Sequence, residues 1–578
     1  MARRKPSKQA TTKSEFQLRK DGIYWRNASG EMEYFGPWLK ILAVASTMDG
    51  SDWSKLLVFR DHLGKLRRVL VSDSWLHDGG HNLIRLLSNA GYKVPMGRRL
   101  NQALLEYIDA QCVGRPHLWI VRQLGWHGDG TFLLPHRCFG PKAKSFYLDC
   151  SALQSPDKYR ESSSLKEWQA QIARPCAGNL RLEFALCVAL SGPLLELFNS
   201  ESGIFAFVGR TSQGKSTALQ LAGSVWGGRA GAGSELGFTE HFLATVNAFD
   251  RIAASGSSTL VCLDETELAG NNPKEAADLI LRIIYRLLGN SSKRRLDNDP
   301  QLTWRIMVLI SSEKDLATIA AEGGRSVNPE QLVRYAEIPV NSDKPIIERV
   351  PEGFGSASEF VNLLKDRCRQ YHGTAGVAFV EALVQELHDD RDALMAKLHR
   401  YRNHFLEVTA ANRDEGAEIR TAERFALVYA AGRLAKRYGV LPAEFGVLKS
   451  VKRCYLDHLE HQLGPAQLEQ RIVDHVTNCL HENIDQFVNT IDGRSKLSTL
   501  SDDCWGIIRS HKTDGVECLV RPAVFTGQIC KPYGFKRTAE VLIARGLLRH
   551  QKDKTSVTRE FKGIAERRFY CLDDSLLP

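Results

Sequence analysis

No two cysteines in this chain stand at a C-x-x-C or any other zinc-binding spacing, although there are thirteen of them. That removes zinc fingers and ribbons from the candidate classes. Several cysteines, such as Cys187 and Cys262, sit in apolar runs. Buried thiols of a cytosolic protein are therefore expected, not a disulfide frame. No apolar run approaches the length of a membrane span, so no membrane partner is expected. The opening Met1-Ala2-Arg3-Arg4-Lys5-Pro6-Ser7-Lys8 is basic and lacks the apolar stretch of a secretory signal. A disordered basic tail over 1–14 and a cytoplasmic location are expected. A large excess of one sign of charge is also lacking. Lys plus Arg number 77 and Asp plus Glu 67, a net +10. This mild excess permits nucleic-acid binding without establishing it. Internal repeats are absent.

What remains is a large globular protein, 43% hydrophobic and 25% charged over 578 residues. That length exceeds one core and predicts about three or four domains. Residues 15–150 alternate short aromatic and β-rich runs with turn signals such as Asn27-Ala28-Ser29-Gly30, which predicts an α+β domain. The polar stretch 151–180 reads as a linker. Residues 181–345 alternate helical and strand-like segments, the pattern of an α/β sheet. Residues 346–464 are strongly helical, and 465–578 form a further small domain.

The most informative stretch is Gly209-Arg210-Thr211-Ser212-Gln213-Gly214-Lys215-Ser216. It fits G-x-x-x-x-G-K-[ST], the phosphate-binding P-loop. Such a match arises by chance in roughly one chain in fifty of this length. An apolar run, Gly203 to Val208, precedes it and a helical pattern from Lys215 to Trp226 comes after it. Strand, glycine-rich loop and helix are what a triphosphate needs. The backbone N–H groups of Gly209, Thr211, Gln213, Gly214 and Thr217 can meet phosphate charge, Lys215 can reach the β- and γ-phosphates, and Ser216 can hold Mg²⁺. ATP and Mg²⁺ are the expected cofactors.

Hydrolysis needs an acid beside the metal and a base that orients water. Thr259-Leu260-Val261-Cys262-Leu263-Asp264-Glu265 is an apolar strand ending in two acids. Asp264 is the metal-side candidate and Glu265 the catalytic base. A third strand closes on Ser311-Ser312-Glu313, and Ser311 is the candidate polar contact to the γ-phosphate or the water. Arg334, within Gln331 to Pro339, is the candidate arginine finger for a neighbouring subunit, with Arg325 in reserve. Between the second and third strands, Lys293-Arg294-Arg295 in a polar loop is a candidate contact to DNA phosphates.

The sequence resembles the family catalogued as domain-of-unknown-function 927, large ATPases of plasmids, prophages and integrating elements. The likeness rests on Gly125-Trp126-His127 with Phe132-Leu133-Leu134-Pro135, and on the P-loop running into Ala222-Gly223-Ser224-Val225-Trp226-Gly227. It rests also on Ala244-Thr245-Val246-Asn247-Ala248 ahead of Leu263-Asp264-Glu265, on Tyr371-His372-Gly373-Thr374-Ala375-Gly376, and on Arg424-Phe425-Ala426-Leu427. One departure is Ser291-Ser292, where relatives tend to carry glycines. The resemblance implies an AAA+ ATPase similar to the replicative helicases of staphylococcal cassette elements, which are minichromosome-maintenance-like. It implies a hexameric ring, DNA as substrate, a helical lid over 346–464 with Arg420 or Arg424 as a nucleotide contact, and a C-terminal winged helix. An element-encoded primase, polymerase or loader would be a partner. The tail agrees: two helix patterns around Lys531-Pro532-Tyr533-Gly534, then a basic wing, with Lys536 and Arg537 on the second helix. The leading expectation is an ATP-driven DNA helicase or translocase of a mobile element. An AAA+ initiator or remodeller without unwinding, and a small-molecule P-loop kinase, stay open.

Overall fold

A computed structural model describes residues 15–27, 29–128, 130–228, 237–242, 246–264, 272–292, 302–327, 333–411, 416–491, 500–501, 503–511, 515–550, 555–561, 564 and 568–578. Of the candidate site residues, Glu265, Lys293, Arg294 and Arg295 lie outside the described residues. The chain divides into two compact units, Met1–Gln123 with His127–Leu153, and Leu124–Trp126 with Gln154–Pro578.

The first unit is α+β. Phe16–Leu18, Ile23–Arg26 and Met32–Gly36 form an antiparallel sheet, and Leu39–Ser46 lies at the centre of a five-stranded one. Leu39–Ser46 alternates buried and half-buried positions, as a strand with one face on the core must. The turn at Asn27 is built by its side chain, whose Oδ1 accepts from the N–H groups of Ser29 and Glu31. The aromatics serve the core: Phe16, Phe35 and Tyr107 are buried together, and the Tyr107 hydroxyl donates to the Leu39 carbonyl at 2.7 Å.

In the second unit the polar stretch expected to be a linker is folded. Ser164 and Glu167 close a capping box over Leu165–Trp168, and Trp168, Ile172, Ala173 and Cys176 are wholly buried. The polarity that suggested a linker belongs to caps and turns. The helix Leu180–Ser191 is buried on nearly all faces.

At the centre are five strands: β1 (Gly203–Val208), β2 (Glu240–His241), β3 (Leu260–Asp264), β4 (Met307–Ser312) and β5 (Tyr335–Pro339). Their order is β2-β3-β4-β1-β5 and every pair is parallel. β1, β3 and β4 are buried at every position. Continuous apolar runs are what a sheet covered on both faces requires. Helices α1 (Lys215–Ser224), α2 (Val246–Ser255), α3 (Pro273–Leu288) and α4 (Leu316–Glu322) come after β1, β2, β3 and β4 in turn. The short β2 and α2 lie in the interval between Lys215 and Asp264.

Five helices come next: α5 (Ala357–Gln370), α6 (Thr374–Asp389), α7 (Arg391–Thr409), α8 (Gly416–Arg437) and α9 (Val447–Leu463). Phe425 of α8 meets Phe205 of β1 edge to face at 4.9 Å and Phe184 at 5.8 Å. Burying each ring contributes on the order of 2–3 kcal/mol, which anchors α8 to the sheet.

The C-terminal region holds α10 (Pro465–Glu482), a helical turn over Pro522–Ile529, α11 (Phe535–Ala544) and a mostly antiparallel sheet. Leu548–Arg549 and Val557–Thr558 both pair with Arg568–Leu572. Strands Phe487–Asn489, Gly506–His511 and Gly515–Val520 extend that sheet and were not expected. All thirteen cysteines are free thiols, most of them buried. Among the described residues no helix is long and apolar enough to cross a membrane.

Candidate functional site

The parallel strands deliver their C-terminal ends to one edge of the sheet. Val208 and Ser312 pair there, as do Phe207 and Ser311. The loop Gly209–Gly214 leaves β1 at this edge and turns into α1. Two left-handed residues make the turn, Ser212 at φ 60° and Gly214 at φ 86°. At Gly209 a Cβ would sit 2.1 Å from the Val340 carbonyl oxygen and 2.6 Å from Gln213 Oε1, so only glycine fits.

The Lys215 ammonium folds back into this loop and donates to the carbonyls of Gly209 at 2.6 Å and Arg210 at 2.7 Å. Ser216 Oγ donates to Asp264 Oδ1 at 3.1 Å. Ser311, on the strand between β1 and β3, donates to the same carboxylate oxygen. One buried carboxylate thus joins the helix start, the β3 end and the β4 end.

A cavity of about 730 Å³ opens over this cluster, within the range of small-ligand sites. Its floor is Thr211 to Thr217 with Ser311 to Glu313. Its other wall is Pro345, Ile347 and the α5 face bearing Ser358, Val361, Asn362 and Lys365. That wall was missed by sequence reasoning. The i, i+3, i+4, i+7 spacing of the four α5 residues is the signal that could have marked a common face, but not what the face meets.

The residues suit a nucleoside triphosphate with Mg²⁺. Gln213 Oε1 is buried without a hydrogen-bond partner, and the Lys215 ammonium can exchange loop carbonyls for phosphate oxygens. Mg²⁺ keeps several waters and needs only one or two protein ligands beside substrate phosphates. Ser216 and Asp264 are such a pair. Among the described residues no group of three or more His, Cys, Asp or Glu side chains is placed to hold a metal ion.

The family model for a domain of unknown function, DUF927, matches residues 16–300. Those residues belong to the DUF927 family. The match takes in the loop Gly209–Gly214 and Asp264 and ends before β4. No curated protein matches the chain. The solved structure of the SCCmec type IV Cch active helicase is similar to this chain at 15% identity. It covers 98% of this chain and 99% of that one, with a TM-score of 0.60, which makes the likeness one of overall fold. The A-form apo structure of the NrS-1 C-terminal region matches at 10% identity, 73% and 92% coverage and a TM-score of 0.24, too low to bear an argument.

Arg424, expected as a lid contact to nucleotide, and Arg334, expected to reach a neighbouring copy's site, both stand away from the loop Gly209–Gly214. The strands are parallel, so the start of β1 lies about 20 Å from the phosphate loop. Arg424 is at that start: its Cδ is 2.6 Å from where a Cβ on Gly203 would stand. Arg424 therefore does not line the phosphate cavity of its own chain. α8 crosses the sheet so that this stretch runs under the N-terminal strand ends, with Thr421 Oγ1 donating to the Val333 carbonyl. Burial and the nearby Arg334 charge push the Arg424 guanidinium down to about 10, and its Nη1 has no hydrogen-bond partner. Arg334 is at the same end. It precedes β5, pairs with Glu201 at 2.6 Å and donates to the Leu288 carbonyl. Arg325 pairs with Asp278 at 2.8 Å.

The segments flanking Lys293 to Arg295 are joined: Ser291 bridges Thr303, and Ser292 N–H donates to Leu302 O at 2.8 Å. On α11, Lys536 is exposed. Arg537 faces the other way and grips Glu460 of α9 at 3.0 and 3.2 Å. Arg545, two turns on, pairs with Glu469 and Gln470 of α10. The Arg537 face of α11 is docked on α9 and α10, so DNA contact through Arg537 would first have to break an ion pair.

Proposed function

We propose that this chain is an AAA+ ATPase that works as a ring, a hexamer by family likeness, and drives DNA translocation or unwinding in the replication of a mobile genetic element. The observation that carries the reading is the convergence of Lys215, Ser216, Asp264 and Ser311 at one edge of a parallel sheet in which β4 lies between β1 and β3. The overall likeness to an active helicase supports it. Domains fit the same reading: an α+β domain to about 150, the ATPase core over 181–345, the lid over 346–464 and a winged helix within 465–578. A cytoplasmic location accords with it.

Bound Mg-ATP would supply the transferable phosphoryl group. Lys215 would leave the carbonyls of Gly209 and Arg210 to neutralise phosphate oxygens. Ser216 and Asp264 would hold the metal's coordination shell, with Ser311 fixing the Asp264 carboxylate. Glu265, next along the chain, is assigned to orienting water. Arg334 and Arg424, at the far end of β1, can meet only a nucleotide held by a neighbouring copy.

A forked DNA duplex with one labelled strand tests the proposal. Wild type should release that strand with ATP and not with a nonhydrolysable analogue. ATP hydrolysis without strand release would favour an initiator or remodelling ATPase instead. Phosphate transfer to a small acceptor, with none released to water, would point to a kinase.

A further inference from the structure

A second concavity lies well outside the phosphate site. It has a volume of about 840 Å³ and is bounded by the end of α8, the start of α9 and Tyr401 of α7. Five cations line it: Arg433, Lys436 and Arg437 from α8, and Lys449 and Lys452 from α9. Among the described lining residues none is acidic. The convergence is a consequence of helix periodicity. Positions 433, 436 and 437 share a face of α8, and 449 and 452 share a face of α9.

Like charges brought together cost stability unless something meets them. Within the chain the compensation is partial. Lys436 caps the Phe445 carbonyl at 2.7 Å, and Arg437 stands 3.8 Å from Glu386. The Arg433 guanidinium lies over the Tyr401 ring at 5.2 Å and donates to the Tyr429 hydroxyl at 3.0 Å. Lys452 donates to the backbone carbonyl of Lys531, whose own charge adds to the field. Arg433 and Lys449 are exposed.

We propose that this groove binds the phosphodiester backbone of single-stranded nucleic acid. Five converging cations beside an aromatic ring are the elements of a single-strand channel. A flexible strand can track a concave groove, whereas duplex DNA resists bending over its persistence length of about 50 nm. The groove is lined by none of the loop cations proposed from the sequence, and it does not depend on the ATPase reading because binding is measured without nucleotide.

The test is the double variant R433E/K449E, with binding of a fluorescein-labelled thymidine oligonucleotide monitored by anisotropy between 50 and 200 mM salt. Loss of two contacts should weaken binding about tenfold at low salt and flatten the log–log salt slope by about 1.4, at ~0.7 per contact. Basal ATP hydrolysis and melting temperature should match wild type. If the double variant does not fold, K449E alone should flatten the slope by about 0.7. Unchanged affinity and slope would overturn the proposal. So would an equal loss for a duplex of the same length, or tighter binding of a labelled poly-glutamate peptide than of the oligonucleotide.

Discussion

Asp264 is held by the neighbours that the sheet order gives it. Its Oδ1 accepts from Ser216 at the start of α1 and from Ser311 at the end of β4. Replacing Ser311 by Ala removes one donor and little volume. The expected outcome is an ATP dissociation constant within about threefold of wild type with turnover lowered about tenfold, roughly 1.4 kcal/mol of transition-state stabilisation. Titration of a fluorescent ATP analogue beside steady-state phosphate release checks it. Gly209 gives a sharper case. A Cβ there would overlap the Val340 carbonyl at 2.1 Å, so G209A must push β1 from the segment after β5. Loss of about 1–3 kcal/mol of stability and of nucleotide binding is expected, read by thermal unfolding with and without ATP. That the loop Gly209–Gly214, Asp264 and Ser311 come together was legible in the sequence, because each closes an apolar strand-like run and parallel strands bring such ends to one edge. Arg424 was legible as a functional candidate but not in position. Periodicity tells which face of α8 is buried, not which end of the sheet it underlies. The Arg537 ion pair was not legible for a related reason: a cation on a recognition-like helix looks free until Glu460 is known to face it.

At the scale of elements, the alternation of apolar strands and helices over 181–345 was plain in the sequence, and so was the helical character of 346–464. The strands Gly506–His511 and Gly515–Val520 were hidden because charged residues interrupt their apolar pattern. Glu517 is the cause. It is buried inside the sheet and bonded to Arg509 at 2.8 Å and Arg559 at 2.5 Å, with Arg549 at 3.5 Å. Burial pushes its carboxyl up, but Arg559 and Arg509 outweigh that and hold it at about 2, against an ordinary 4.5. A carboxylate held low in the fold stabilises it above the ordinary value, and that contribution fades as pH falls from 4.5 through about 2. E517Q should therefore destabilise the C-terminal sheet at pH 7 by about 3 kcal/mol, since it leaves three half-buried guanidinium groups short of a partner. The gap between variant and wild type should narrow toward pH 2 to 3. Hydrogen exchange of Gly506–His511 and Gly515–Val520 across that range measures it. A gap that stays constant with pH would show that the Glu517 charge does not hold this sheet.

Across the whole molecule the sheet has two chemically distinct ends. One carries the phosphate loop with Lys215, Ser216, Asp264 and Ser311. The other carries Arg334, Arg420 and Arg424 around a cavity of about 230 Å³. With the proposed nucleotide site at one end and a group of arginines at the other, the proposal fits head-to-tail assembly, where each copy completes the next. The cations between α8 and α9 lie apart from both and give nucleic acid a second place to bind. The claim joining these features is that nucleotide chemistry at Lys215 is coupled to DNA. Phosphate release by the purified chain, with and without single-stranded DNA and beside K215A, tests it most directly. Coupling predicts ATP hydrolysis that rises at least about fivefold with DNA and falls at least about a hundredfold in K215A. A well-folded wild type that hydrolyses no ATP, or whose hydrolysis ignores DNA, would contradict it.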